Sequence, residues 1–240
     1  AARQTGAETT IVHAGWLLAE PGSPPLRRQS VIIENDRILE VRSGFVQPSA
    51  LGEGSRNVRV IDLAQDYVLP GLIDAHVHLA SSPESHDPGN PLVQSEADLA
   101  IAASLHAAKT LQAGFTTVVD LGAVGIAGHE RAIFSVRDNI AKGRIAGPRI
   151  LAAGTPIAAT GSGRNSTYRD AVMETMDMRS LCDGADDCRR AVREQVKRGS
   201  DIIVFFNTGS LLSADPVPTA MTGTEMRAIV ETAHALGRKV

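Results

Sequence analysis

From Pro70 onward the chain alternates short apolar, β-rich stretches with helical ones, and this rhythm restricts it to an α/β fold of parallel βα units. Leu72 to His78 reads as a buried strand. Ser95 to Ala113 follows as an Ala/Leu-rich helix, with Ser95 and Asp98 spaced as a capping box and Gly114 at its end. Thr116 to Asp120 is the second strand, and Glu130 to Lys142 a helix closed by Gly143. Arg149 to Ala153 is the third strand. After a long Gly- and Ser-containing segment, a helix from about Ala185 to Arg198 is stopped by Gly199. Asp201 to Phe206 is the fourth strand, Thr224 to Leu236 a helix stopped by Gly237, and Lys239-Val240 opens a further element.

Residues 1–70 differ in kind. Thr9 to His13 and Trp16 to Leu18 are β-rich before Pro21-Gly22-Ser23-Pro24-Pro25 breaks the chain. Ser30 to Glu34 and Arg37 to Val41 flank Asn35-Asp36, a hairpin pair whose side chains tolerate positive φ. Val58 to Asp62 and Tyr67 to Leu69 complete a small β module in which nothing looks catalytic.

The chemistry concentrates where the two rhythms meet, in Val68-Leu-Pro-Gly-Leu-Ile-Asp-Ala-His-Val-His-Leu79. Strand side chains alternate faces, so His76 and His78 point the same way and can grip one cation together. Neutral imidazole is a common ligand for zinc and related metals. A bare His-x-His also occurs on solvated strand faces; the Pro70-Gly71 turn, the apolar Leu72-Ile73 approach and Asp74 make it more specific. Asp74 shares the histidines' face but lies deeper, which favours a hydrogen-bonding role over ligation.

This segment resembles the first barrel strand of the amidohydrolase superfamily, whose members hydrolyse amide and related bonds with barrel-bound metals. Ala113-Gly-Phe-Thr-Thr-Val-Val-Asp-Leu-Gly122 resembles that family's second strand, and Gly147-Pro-Arg-Ile-Leu-Ala-Ala-Gly154 its third. Cys182-Asp-Gly, Arg189-Arg-Ala-Val-Arg-Glu-Gln195 and Gly199-Ser-Asp-Ile-Ile203 resemble the approach to the fourth. The likeness covers most of residues 58–240 and is nearest the Xaa-Pro dipeptidase and ochratoxin-cleaving branch. It implies a (β/α)8 TIM-like barrel preceded by a small N-terminal β-sandwich module, with residues 1–70 as the module and 71–240 as the first four βα units. Such a barrel takes about 250 residues, so the sequence from Leu72 to Val240 is expected to stop partway round it.

The resemblance also implies a site at the carboxyl end of the strands, with His76 and His78 as metal ligands. The remaining ligands and the catalytic acid/base would fall past residue 240. The cofactor implied is Zn2+, as one or two divalent metal ions. Two positions depart from the pattern. Aligned on Gly199-Ser-Asp-Ile-Ile203, the family's bridging carboxylated lysine corresponds to Val204, which has no donor atom. That points to a mononuclear site or an impaired variant, since a two-metal site would lose its shared anionic ligand. The third-strand loop, Thr160-Gly-Ser-Gly-Arg164, lacks the histidine that relatives carry, leaving Arg164 as a candidate substrate contact. Asn207 and Thr208 end the fourth strand and are further candidates to face the substrate.

Other features read as structure. His129-Glu130 lacks the second histidine of a zinc-protease helix, because position 133 is Ile. Gly122, Gly125 and Gly128 come without a phosphate-binding lysine and read as loop; His234 reads as a surface or satisfied helix histidine. Asn165-Ser-Thr167 matches a glycosylation sequon, a pattern common by chance. Cys182 and Cys188 flank a turn running into a helix, so a local disulfide and a reduced pair both remain open. The first residues, Ala1-Ala2-Arg3-Gln4-Thr5-Gly6, show no targeting segment and would equally be what signal removal leaves. A periplasmic or secreted location is the expectation, with the cytoplasm as the alternative.

Charge narrows the partners. A net charge of −3, with 24 Lys+Arg against 27 Asp+Glu and no basic block, gives no reason to expect nucleic acid or an anionic membrane. No apolar run approaches a bilayer span. The resemblance thus implies metal-dependent hydrolysis of an amide bond in a small peptide-like or N-acyl substrate, and a homo-oligomer, as relatives frequently are. The alternatives are a mononuclear deaminase or cyclic-amide hydrolase of the same superfamily, and a non-catalytic binding or assembly barrel.

Overall fold

A computed structural model describes residues 8–52, 57–80, 94–122, 130–160, 180–207 and 220–240. The chain divides into two compact units, 1–70 and 71–240.

In the first unit β1 (Thr9–Leu17), β2 (Leu26–Glu34), β3 (Arg37–Ser43) and β4 (Val58–Val68) form one sheet in the order β3-β2-β1-β4. β1 runs antiparallel to β2 and parallel to β4, and β2–β3 is the hairpin, with Asn35 at φ 56° in its turn. The two broken segments expected on either side of Ala14 are one continuous strand, carried past an irregularity between Ala14 and Trp16. Ile11, Ala14, Leu17, Val31 and Ile32 are buried. A sandwich needs two sheets; the described residues of this unit form one.

In the second unit strands and helices alternate: β5 (Leu72–Val77), α1 (Glu96–Gln112), β6 (Phe115–Asp120), α2 (Glu130–Ala141) and β7 (Arg149–Ala152). They continue with β8 (Ile157–Ala158), α3 (Ala185–Arg198), β9 (Phe205–Phe206) and α4 (Gly223–Ala235). β5-β6-β7 form one parallel sheet, β8 pairs parallel with β9, and Ile202 bridges in parallel to Lys239. The expected capping box opens α1: the Ser95 hydroxyl accepts from Asp98 N–H, and the Asp98 carboxylate accepts from Ser95 N–H. Leu99, Ala103 and Ala107, four residues apart on one face of α1, pack with Val118, Ile133, Val136 and Ile150 into one buried cluster. A second cluster joins Ile157 and Ile203 to Val192, Ile229 and Ala233. Helices therefore cover one face of the parallel strands.

Two details differ from the sequence reading, and a third decides between alternatives it left open. Among the described residues β5 pairs with β6 alone, and Leu72 is 43% and Ile73 69% exposed where the sequence suggests a buried strand. The fourth strand is regular over two residues only. Before those two residues the backbone partners change, Asp201 N–H donating to the Ala152 carbonyl and Ile203 N–H to that of Lys239, while the Asp201 carboxylate accepts from Arg137 and from the Ala152 N–H. The two cysteines are joined: Cys182 and Cys188 form a disulfide with Cα atoms 4.9 Å apart, closing the turn before α3.

Candidate metal centre

Pairing between β5 and β6 is regular at Ile73–Asp74 and loosens before Val77, which meets Asp120. The slack is taken up locally. Asp74 Oδ1 accepts the His76 N–H at 3.0 Å, the backbone role expected of that carboxylate. His76 and His78 then project to the same side, their ring centroids 5.2 Å apart and their Nε2 atoms 3.3 Å apart. His76 is exposed and His78 half-buried.

The donor chemistry of this pair fits a tetrahedral cation. Two nitrogens each ~2.0–2.1 Å from one tetrahedral ion stand about 3.3 Å apart. His78 Nδ1 lies 2.7 Å from the carbonyl oxygen of Gly122. A carbonyl only accepts, so Nδ1 carries the proton and, in the neutral ring, Nε2 keeps its lone pair for a ligand. Ligating histidines almost always donate their second ring N–H in this way. Among the described residues no group of three or more His, Cys, Asp or Glu gathers as a metal site, so the pair is a partial donor set.

Groups to which the sequence reading gave no role at the site hold this corner together. Asp120, 1% exposed, accepts the Leu79 N–H at 2.8 Å with Oδ2 and the Gly122 N–H at 2.9 Å with Oδ1. Burial pushes its carboxyl above the usual range, opposed by those two N–H donors and by the nearby His78. His106, from α1, donates Nδ1–H to the Leu79 carbonyl at 2.8 Å. Gly122 has φ +98°, and a Cβ there would lie 1.9 Å from the Gly154 carbonyl oxygen, so no other residue fits. A signal for Asp120 was available: a carboxylate closing Thr-Thr-Val-Val, level with the end of the strand that carries the histidines. His106 carried no such signal, since one histidine on a helix face is ordinary.

The remaining candidates are spread out. Val204 is half-buried, and its carbonyl accepts the Ile157 N–H at 2.8 Å. Its neighbours Ile203 and Phe205 pack into the cluster with α3 and α4, so alternation turns the Val204 side chain to the opposite face. Asn207 is held to the residues before α4, its Oδ1 accepting from Met221 N–H at 3.0 Å and its carbonyl from Ala220 N–H at 2.8 Å. His234 lies exposed on α4. Arg164, Thr208, His129, Gly125, Gly128 and Asn165 lie outside the described residues.

Comparison with known proteins agrees with the superfamily resemblance. Ochratoxinase from Aspergillus niger is 26% identical over 252 residues, spanning 98% of this chain and 50% of the relative. The crystal structure of A. niger ochratoxinase superposes with a TM-score of 0.77 at 25% identity, covering 97% of this chain and 55% of that one. A Xaa-Pro dipeptidase crystallised with methionine in its active site superposes with a TM-score of 0.79 at 32% identity, covering 96% and 55%. A 5-methylthioadenosine/S-adenosylhomocysteine deaminase of Bacillus cereus (strain B4264) is 33% identical over 76 residues, 31% of this chain and 16% of the relative. The chain thus spans about half the length of the ochratoxinase and dipeptidase it matches. The profile of the Amidohydrolase family matches residues 67–240, and the chain belongs to that family.

Proposed function

We propose that this chain is part of a metal-dependent amidohydrolase that cleaves an amide bond in a small peptide-like or N-acyl substrate. The observation that carries the proposal is the 3.3 Å approach of His76 and His78 Nε2, with the His78 Nδ1 proton committed to the Gly122 carbonyl. The ochratoxinase and dipeptidase relatives support the amide class of substrate. A divalent ion, zinc in this reading, would supply Lewis acidity and lower the pKa of bound water to about 7. The chain's own contribution is positional. Asp74 holds the His76 backbone, Gly122 fixes the His78 tautomer, and the strand end aims both rings to one side. Family membership supports β5 to β9 as the first half of a (β/α)8 barrel, and the four-stranded sheet is read as one layer of a sandwich. The Cys182–Cys188 disulfide supports a periplasmic or secreted location, where such bonds persist.

One observation favours a second reading. Val204 offers no donor where a bridging lysine would stand, which suits a mononuclear deaminase or cyclic-amide hydrolase of the same family. Metal analysis of the full-length protein separates the readings: two equivalents support the dipeptidase-like form, one the mononuclear form, and none a non-catalytic barrel. His76→Ala should abolish turnover of a dipeptide and N-acyl amino acid panel while leaving expression and melting near wild type. Undiminished turnover in that variant overturns the catalytic assignment.

A further inference from the structure

We infer that Asp120, assisted by His106, is a positioning residue for His78, fixing the turn after β5 so that His78 presents an unprotonated Nε2. The inference rests on the metal reading above and adds residues to it.

The argument is one of connectivity. His78 donates Nδ1–H to the Gly122 carbonyl, and Asp120 Oδ1 accepts the N–H of that same Gly122. Oδ2 of the same carboxylate accepts the N–H of Leu79, the residue that follows His78. One side chain therefore holds both the peptide after His78 and the glycine to which His78 donates, closing a ring of contacts through His78, Leu79, Asp120 and Gly122. His106 fixes the other polar group of Leu79, its carbonyl. Leu79 itself is buried at 5% exposure, in the cluster with Leu99 and Val118.

The residue type matters. Two backbone N–H groups approach two different oxygens, which a carboxylate accommodates and an amide does not, because Asn would turn its NH2 toward one donor. A glutamate would carry the same group one methylene farther, against strand ends already in contact. At 1% exposure water has no access to replace either bond. Both oxygens face backbone N–H groups, so Asp120 acts through His78 and is not assigned as a ligand.

The test uses the full-length protein, labelled with 15N at histidine alone and stripped of metal, so that few side chains report. At about pH 8, above the ordinary histidine pKa, His78 should show the Nδ1–H tautomer alone, its signal assigned by its loss in His78→Ala. Asp120→Asn should give a tautomer mixture and weaken Zn2+ binding, titrated against a chelating indicator, by about 10–100-fold. His106→Leu should weaken Zn2+ in the same direction, and His106→Gln, which still donates to the Leu79 carbonyl, should restore it. A wild-type His78 protonated at Nε2 overturns the inference, as does an Asp120→Asn protein with wild-type tautomer and affinity. Should Asp120→Asn not fold, the wild-type tautomer and the two His106 variants decide. If the wild type binds no Zn2+ while the tautomer still depends on Asp120, the metal reading fails and the positioning role stands.

Discussion

At the scale of single residues, the strictest requirement among the described residues of the second unit falls on Gly122. Its φ of +98° costs an L-residue about 1–2 kcal/mol. A methyl group there would also overlap the backbone carbonyl of Gly154, which is not the end of a flexible side chain and cannot swing away. Relief requires the Gly122 peptide to move, and its carbonyl is the acceptor for His78. Gly122→Ala should therefore lower stability by more than about 2 kcal/mol, a fall in Tm of at least ~4 °C for a unit of this size. Zn2+ affinity should fall with it. A Tm within a degree of wild type would show that the loop has room this geometry denies it. The residue was visible in the sequence only as one of three regularly spaced glycines, a pattern that reads as loop. Its necessity comes from a close approach between two strand ends 32 positions apart, Gly122 and Gly154, and no local pattern encodes that.

At the scale of elements, helix starts show what local chemistry reveals. Ser95 and Asp98 announced α1 because a capping box is a contact between near neighbours in sequence. α4 has the same device, Thr222 and Glu225, overlooked in placing that helix start at Thr224. Glu225 does more than cap: Oε2 accepts from the Thr222 N–H and hydroxyl, while Oε1 accepts the Gly184 N–H at 2.6 Å. One carboxylate thus ties the start of α4 to the disulfide-closed turn before α3. The Gly184 N–H, followed by the two Thr222 contacts, holds its pKa below the ordinary value of 4.5. The sign follows from linkage: a depressed folded pKa adds stability that is present above the unfolded value and lost as pH falls through the folded one. Melting followed downward from neutral pH should thus show an acid loss beginning near the ordinary carboxyl range. Glu225→Gln should melt lower at neutral pH and lose less on acidification. Parallel pH profiles for the two proteins would remove Glu225 from the account. The fourth strand was harder to read, because its backbone partners change along its length, from Ala152 at Asp201 to Lys239 at Ile203 and Ile157 at Val204, and strand propensity carries no trace of such distant partners.

At the scale of the whole molecule, alternation of strand and helix was legible because each βα unit repeats the same local grammar, and β5, β6 and β7 pair in chain order as that grammar requires. What could not be read was how exposed the first strand is, since burial of an edge depends on a neighbour rather than on the strand's own residues. Val204 poses the same kind of question. Its carbonyl is committed to the Ile157 N–H, and its side chain lies on the face away from the helix-packed Ile203 and Phe205. In a parallel barrel that opposite face is the interior, where a long side chain near the carboxyl ends of the strands can reach a shared site. Val204→Lys replaces two methyl groups with a flexible stem and a terminal amine, able to become an anionic bridge on carboxylation. If the full-length protein is mononuclear because this donor is missing, metal content measured after growth in bicarbonate-supplemented medium should rise from one equivalent toward two. Dipeptidase turnover should rise with it. Unchanged stoichiometry in a protein that melts normally would mean that position 204 does not look onto the His76–His78 pair, and that its missing donor does not set the metal content.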